Sequence, residues 1–80
     1  MEKIGKVTRF FDKIMVAVIV LEKELKTGEE INIKGETTDL KQRIESMEID
    51  REKIDSAKEG DEIAIKINEK VRINDLVYKI

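Results

Sequence analysis

The 80-residue chain predicts an all-β fold, a small barrel or sandwich of six or seven strands. Three observations carry that expectation. Thirteen isoleucines lead an aliphatic, β-branched apolar set whose only aromatics are Phe10, Phe11 and Tyr78, a composition suited to a pleated sheet packed on itself. Short apolar runs alternate with turn signals at close spacing, with no linker, repeat or low-complexity tract between them. The chain has no cysteine for disulfides, so a closed sheet would supply stability and protect the edges of so small a domain. The length permits one domain, residues 1–80.

The first segment, residues 3–11, places apolar side chains at Ile4, Val7, Phe10 and Phe11. Those spacings also fit a helix, but Gly5 and the β-branched Val7 and Thr8 favour a strand. Asp12 and Lys13 form a short break of the hairpin type. Residues 14–21 are continuously apolar and β-branched, as a strand buried on both faces would be. Leu25 to Gly28 reads as a turn in which Gly28 takes a positive φ. Residues 29–34 alternate, with Ile31 and Ile33 on one face, and Gly35 ends the run. Residues 36–42 are loop-like, with room for a short edge strand at Thr37 and Thr38. Residues 43–49 resume the pattern through Ile44, Met47 and Ile49, and their change of spacing calls for a β-bulge near Glu45 and Ser46; helix is the competing reading. Between Asp50 and Gly60 a single helical turn capped by Gly60 is expected. Residues 61–67 alternate through Ile63, Ile65 and Ile67, Asn68 to Lys70 turn the chain, and a last strand covers residues 76–80.

Charged residues make up 42% of the chain, with a net charge of −2, unlike a dedicated duplex-DNA binder. Dense opposite charge without cysteine is the bias of thermophile proteins, and a melting temperature in the ordinary mesophile range would contradict that expectation. The start of the chain lacks a signal-peptide core. The longest apolar run, residues 14–21, is too short to cross a bilayer as a helix. A soluble cytoplasmic protein with no membrane partner is expected. Basic residues concentrate near the two ends, so terminal strands lying side by side would create one basic face. The preferred reading is nonetheless a solvated surface of mixed charge, because charge patterns alone rarely define a site.

Chemistry is restricted by what is missing. Without histidine or cysteine, thiolate nucleophiles, Ser–His–Asp relays and zinc sites built on these residues are excluded. The carboxylates are many, but nothing groups them into an acid–base pair or an EF-hand loop. None of the four glycines belongs to a phosphate-binding G-x-x-x-x-G-K-[ST] loop. No enzyme activity, nucleotide hydrolysis, metal or cofactor is expected.

Four segments occur in a characteristic order. They are Gly5-Lys6-Val7, the stretch Leu25-Lys26-Thr27-Gly28-Glu29-Glu30-Ile31-Asn32-Ile33-Lys34-Gly35, Ile44-Glu45-Ser46-Met47, and the run from Ile54 through Ala57, Gly60 and Asp61 to Ile65. Together they resemble the second domain (domain II) of translational GTPases such as elongation factor Tu, whose strands open with similar Leu/Val-x-x-Gly-Asp signals. Asn74-Asp75-Leu76-Val77 follows where that family has a turn and its last strand. The resemblance implies a closed six- or seven-stranded Greek-key β-barrel standing alone without a GTPase. A similar barrel is appended to some collagenase-like peptidases and to other enzymes, so the fold does not fix the function.

Two departures from that family matter. Asp12-Lys13-Ile14 replaces its glycine-containing stretch, and Asn68-Glu69 replaces its Arg-Gly pair. Both lie where the family meets the tRNA end. The expected function is still an RNA- or ribosome-binding module for tRNA or rRNA. Lys6, Arg9, Lys13, Lys66, Lys70 and Arg72 are its candidate phosphate contacts. The alternative is a protein-interaction module that docks on a separate enzyme or GTPase, or forms a homodimer. The strip Phe11, Ile14 and Met15 is its candidate surface.

Overall fold

Backbone pairing organises the computed structural model, which describes residues 1–80, into ten strands and no helix. They are β1 (Glu2–Phe11), β2 (Val16–Leu21), β3 (Leu25–Lys26), β4 (Glu30–Lys34), β5 (Asp39–Arg43), β6 (Met47–Ile49), β7 (Glu52–Ile54), β8 (Ser56–Ala57), β9 (Glu62–Lys66) and β10 (Leu76–Lys79). Eight form one sheet in the order β5-β4-β10-β1-β2-β9-β6-β7, and β3 pairs with β8 beside it. Every pairing is antiparallel.

The all-β expectation holds, but the closed barrel of six or seven strands does not. The strands number ten, and β5 and β7 are the two edges of an open sheet. Both edges carry charge, Asp39, Lys41 and Arg43 on β5 and Glu52 and Lys53 on β7, which discourages further pairing. What joins β5 to the far side is a side chain. Gln42 donates through Nε2 to the Lys66 carbonyl at 3.0 Å and accepts the Asn68 N–H at 2.9 Å. One glutamine amide therefore stands where a ladder of backbone bonds would close the sheet.

The core lies inside this curled sheet. Seventeen buried residues form one cluster, among them Ile4, Ile19, Ile31, Ile33, Ile63 and Val77. β1 reaches it with helix-like spacing because of two irregularities, between Lys3 and Gly5 on the β10 side and between Val7 and Arg9 on the β2 side. Each bulge adds a residue and keeps the inward phase. The run at residues 14–21 was expected to be buried on both faces. Strand β2 begins at Val16, and only Ala17, Ile19 and Leu21 are buried; Val16, Val18 and Val20 are half-buried on the outer face.

The bulge expected near Glu45 and Ser46 is a full break. Residues 44–46 separate β5, which pairs with β4, from β6, which pairs with β9. Ile44 stays in place by accepting the Gly28 N–H at 2.7 Å and donating to the Glu29 carbonyl at 2.8 Å. Thr37 lies in a bend and Thr38 follows it outside any strand; the edge strand forms instead at β5, mostly on residues read as loop. No helical turn forms between Asp50 and Gly60. Asp50 and Arg51 take φ values of 51° and 68° between the paired Ile49 and Glu52, the two positive φ values of a type I′ hairpin.

Three turns share one design. At 26–29, 58–61 and 72–75 the fourth residue's N–H bonds to the first residue's carbonyl, at 3.3, 3.0 and 3.1 Å. The fourth residue's carboxylate accepts the first residue's N–H, at 2.7, 2.9 and 2.8 Å for Glu29, Asp61 and Asp75. The third residue has a φ of 92°, 90° and 78° at Gly28, Gly60 and Asn74, as the third position of a type II turn requires. The Gly-acid pairs of the sequence are thus double hydrogen-bonded turns, and Asn74-Asp75 is a third copy in which asparagine replaces glycine.

Candidate functional site

Antiparallel partners share a face, so the register gives the outer surface directly. Three rows cross the middle of the sheet. Phe11, Val16 and Lys66 form the first, Arg9, Val18, Ala64 and Glu48 the second, and Leu76, Lys6, Val20 and Glu62 the third. The Thr8 hydroxyl donates to the Val18 carbonyl at 3.3 Å and fills the bulge beside the second row. At the hairpin end Met15 has a φ of 54°, an uncommon conformation for such a side chain. The Ile67 N–H bonds its carbonyl at 3.0 Å. This turn leaves Ile14 60% and Phe11 46% exposed.

The six basic candidates do not form one face. Lys6, Arg9 and Lys66 stand on these rows with acidic Glu48 and Glu62 across them. Lys13 lies in the β1–β2 turn. Lys70 and Arg72 border a hollow of about 470 Å³ with Phe10, Asp12, Thr37 and Thr38. Lys66 also borders a second hollow, of about 310 Å³, with Arg43 and Glu45. β1 and β10 do lie side by side, but their lysines are occupied in part. Lys3 pairs with Glu22 and Lys79 with Glu29, each at 3.1 Å. Burial pushes the Glu29 carboxyl up, but the Lys26 N–H and the Lys79 ammonium outweigh it and hold the group below its ordinary value.

No three or more Asp or Glu side chains gather to hold a metal ion. The outward valines were missed by sequence reasoning, because a continuous apolar run reads equally as a strand covered on both faces. The alternation of β9, Glu62-Ile63-Ala64-Ile65-Lys66, was the available signal that this part of the sheet faces outward. No helix of the chain is long and apolar enough to cross a membrane.

Comparison with known proteins narrows the reading. The family model for elongation factor Tu domain 4 matches residues 3–78. An uncharacterized protease of Methanocaldococcus jannaschii is 39% identical over 77 residues, which cover 95% of this chain and 19% of the protease. A collagenase of Porphyromonas gingivalis is 35% identical over 78 residues, covering 95% of this chain and 22% of the collagenase. The chain therefore spans about a fifth of the length of these relatives. The crystal structure of the C-terminal domain of a Geobacillus thermoleovorans protein assigned to the U32 peptidases superposes with a TM-score of 0.93 at 18% identity. The match covers 99% of this chain and 92% of that one. These relatives correct the expected function. They are peptidase-type proteins, so the RNA- or ribosome-binding role inferred from translation factors gives way, and the mixed charge around Lys6, Arg9 and Lys66 agrees with its loss. The likeness to elongation factors is one of fold, and the chain belongs to the elongation factor Tu domain 4 family.

Proposed function

We propose that this chain is a non-catalytic docking module of a U32-type peptidase, binding the portion of that enzyme that holds the chemistry. One observation carries the reading: nearly the whole chain aligns with a segment that is only about a fifth of much longer proteins named as protease and collagenase. The lack of histidine and cysteine supports a role without nucleophilic catalysis. The two hollows are lined mostly by polar and charged side chains, Arg43, Glu45 and Lys66 in one and Asp12, Lys70 and Arg72 in the other. A domain of this kind contributes by binding and positioning, and the fold alone carries no activity.

The experiment uses the Methanocaldococcus jannaschii protease with the segment matching this chain deleted. Mixed with the purified 80-residue chain, the truncated protease should form a one-to-one complex in size-exclusion chromatography with light scattering. The chain alone should cleave neither gelatin nor casein. A chain that hydrolyses these substrates by itself, or that never binds a well-folded truncated protease, would refute the proposal.

A further inference from the structure

The outer face of β2 differs from that of β4 and β5, and half-buried Leu76 of β10 continues its third row beyond Lys6. On β4 and β5 the exposed outward positions are polar, Glu30, Lys34, Asp39, Lys41 and Arg43, as expected where an antiparallel sheet meets water; Asn32 between them is buried, its amide donating to Asp39 and to the Leu40 carbonyl. On β2 they are Val16, Val18 and Val20, all half-buried, extended by Ala64 on β9 and by exposed Phe11 on β1. Val16 and Ala64 also line a small surface depression of about 150 Å³ with Glu48 and Lys66.

The rim of this stripe carries both signs. Lys6 and Arg9 flank it on β1, Glu62 and Glu48 flank it on β9 and β6, and Lys66 stands beside Val16 on β9. None of these five side chains takes part in the ion pairs of the chain, which join Lys3 to Glu22, Lys23 to Glu2, Arg43 to Glu30 and Lys79 to Glu29. An apolar centre with a polar rim whose charges have no partner is the anatomy of a protein interface.

We infer that the stripe Phe11, Val16, Val18, Val20 and Ala64 is the face by which this chain seats on the peptidase portion. That portion would present an apolar ridge, acidic groups against Lys6 and Arg9, and basic groups against Glu48 and Glu62. The occupant rests on the docking function proposed above, because the relatives carry some four-fifths of their length beyond the matched segment. The stripe itself rests on the register.

The absence of cysteine makes the test direct. Val18→Cys and, as a control on β5, Lys41→Cys each introduce a single thiol, and labelling by N-ethylmaleimide is followed by mass spectrometry of the chain. The probe is the truncated Methanocaldococcus jannaschii protease. The same thiols are also read in a fusion where this chain replaces the matching segment of the full-length protease, which covers the case of a truncation that fails to fold. Bound or fused, Val18→Cys should react about tenfold or more slowly than in the free chain, with Lys41→Cys unchanged. Joint replacement of Lys6 and Arg9 by glutamate should weaken the complex by about tenfold or more, and Lys41→Glu should not. If the chain binds while Val18→Cys stays reactive, the face is wrong and the docking function stands. If there is neither binding nor protection in the fusion, both fail. If Val18→Cys is protected in the free chain and protection rises with concentration, the occupant is a second copy, and the assigned partner is overturned.

Discussion

Replacing Gly35 by alanine should destabilise the domain through one neighbour, the carboxylate of Asp75. A Cβ on Gly35 would fall onto that carboxylate, with Asp75 Cγ only 2.6 Å away. Asp75 has little room to leave. It is 6% exposed, and its Oδ2 accepts the Arg72 N–H at 2.8 Å. Its turn is tied to β1 by the Val7 N–H on the Asp75 carbonyl at 2.9 Å and the Asn74 N–H on the Val7 carbonyl at 2.8 Å. Either the carboxylate swings out and its charge-assisted bond is lost, at about 1.5–3 kcal/mol, or the backbone yields, at about 1–3 kcal/mol for overpacking. These are alternatives, so about 2 kcal/mol is expected, a large fraction of the few kcal/mol that hold a domain of this size. With a urea slope of about 1 kcal/mol/M the midpoint falls by about 2 M. In an Asp75→Ala background the new methyl enters vacated space, and Gly35→Ala should cost less than about 0.5 kcal/mol. Urea midpoints by circular dichroism for the four members of the cycle measure the difference. Equal costs of Gly35→Ala with and without Asp75 would refute the collision as the cause.

Gly28→Ala and Gly60→Ala meet no atom within 4 Å, so each should cost only the backbone strain of a positive φ, about 1–2 kcal/mol. Gly60→Asn should recover most of that cost in the same urea assay, because Asn74 already fills the equivalent position of the third turn. Gln42→Ala should cost about 1–2 kcal/mol by removing two hydrogen bonds, and should speed exchange of the Asn68 amide more than that of amides within β4. Glu29→Gln tests a carboxyl held below its ordinary pKa. The stability this carboxylate contributes is fully present above the ordinary carboxylate range and is lost as pH falls through its depressed value in the folded chain. The gap between wild type and Glu29→Gln should therefore be open at neutral pH and narrow as pH falls below the ordinary carboxylate range; it should be small throughout, because the pair with Lys79 is partly exposed.

How much of this fold was legible depended on whether the determinant was local. The alternation of Ile31 and Ile33, and of Ile63 and Ile65, marks β4 and β9 because period two is a property of the strand itself. Gly28 and Gly60 mark turns because only the left-handed region serves there. Ile4, Val7 and Phe10 mislead, since two bulges convert a strand's inward face into a spacing of three. A bulge is fixed by the partner strand, which a single segment does not reveal. The type I′ turn at Asp50 and Arg51 was hidden for a related reason. It lacks the usual Asn-Gly or Asp-Gly signal, and its φ values are held by the pairing of Ile49 with Glu52. Sheet closure was least legible of all, because it turns on where β5 ends relative to β9, and the gap is met by one glutamine side chain.

The candidate site followed the same division. Counting charge by position along the chain gave two basic ends, and the ends do meet where β1 pairs with β10. A face, however, is made of rows across strands, and each row takes its residues from distant parts of the sequence. The row through Arg9 ends on Glu48, and the row through Lys6 ends on Glu62, so the acidic middle of the chain is interleaved with its basic ends. The apolar column between them comes mainly from β2, with Ala64 of β9 beside it, and its outward valines stood in the sequence as a run with no polar alternation. What the sequence could not distinguish was burial by this domain from burial by another. With the sheet drawn, the domain covers Ala17, Ile19 and Leu21 and leaves Val16, Val18 and Val20 half-open. At about 25 cal/mol for each Å² of apolar surface withdrawn from water, completing the cover of such a column is a larger gain than any single exposed ion pair on the rim. The charges there would then set orientation and partner choice, and the valines most of the affinity.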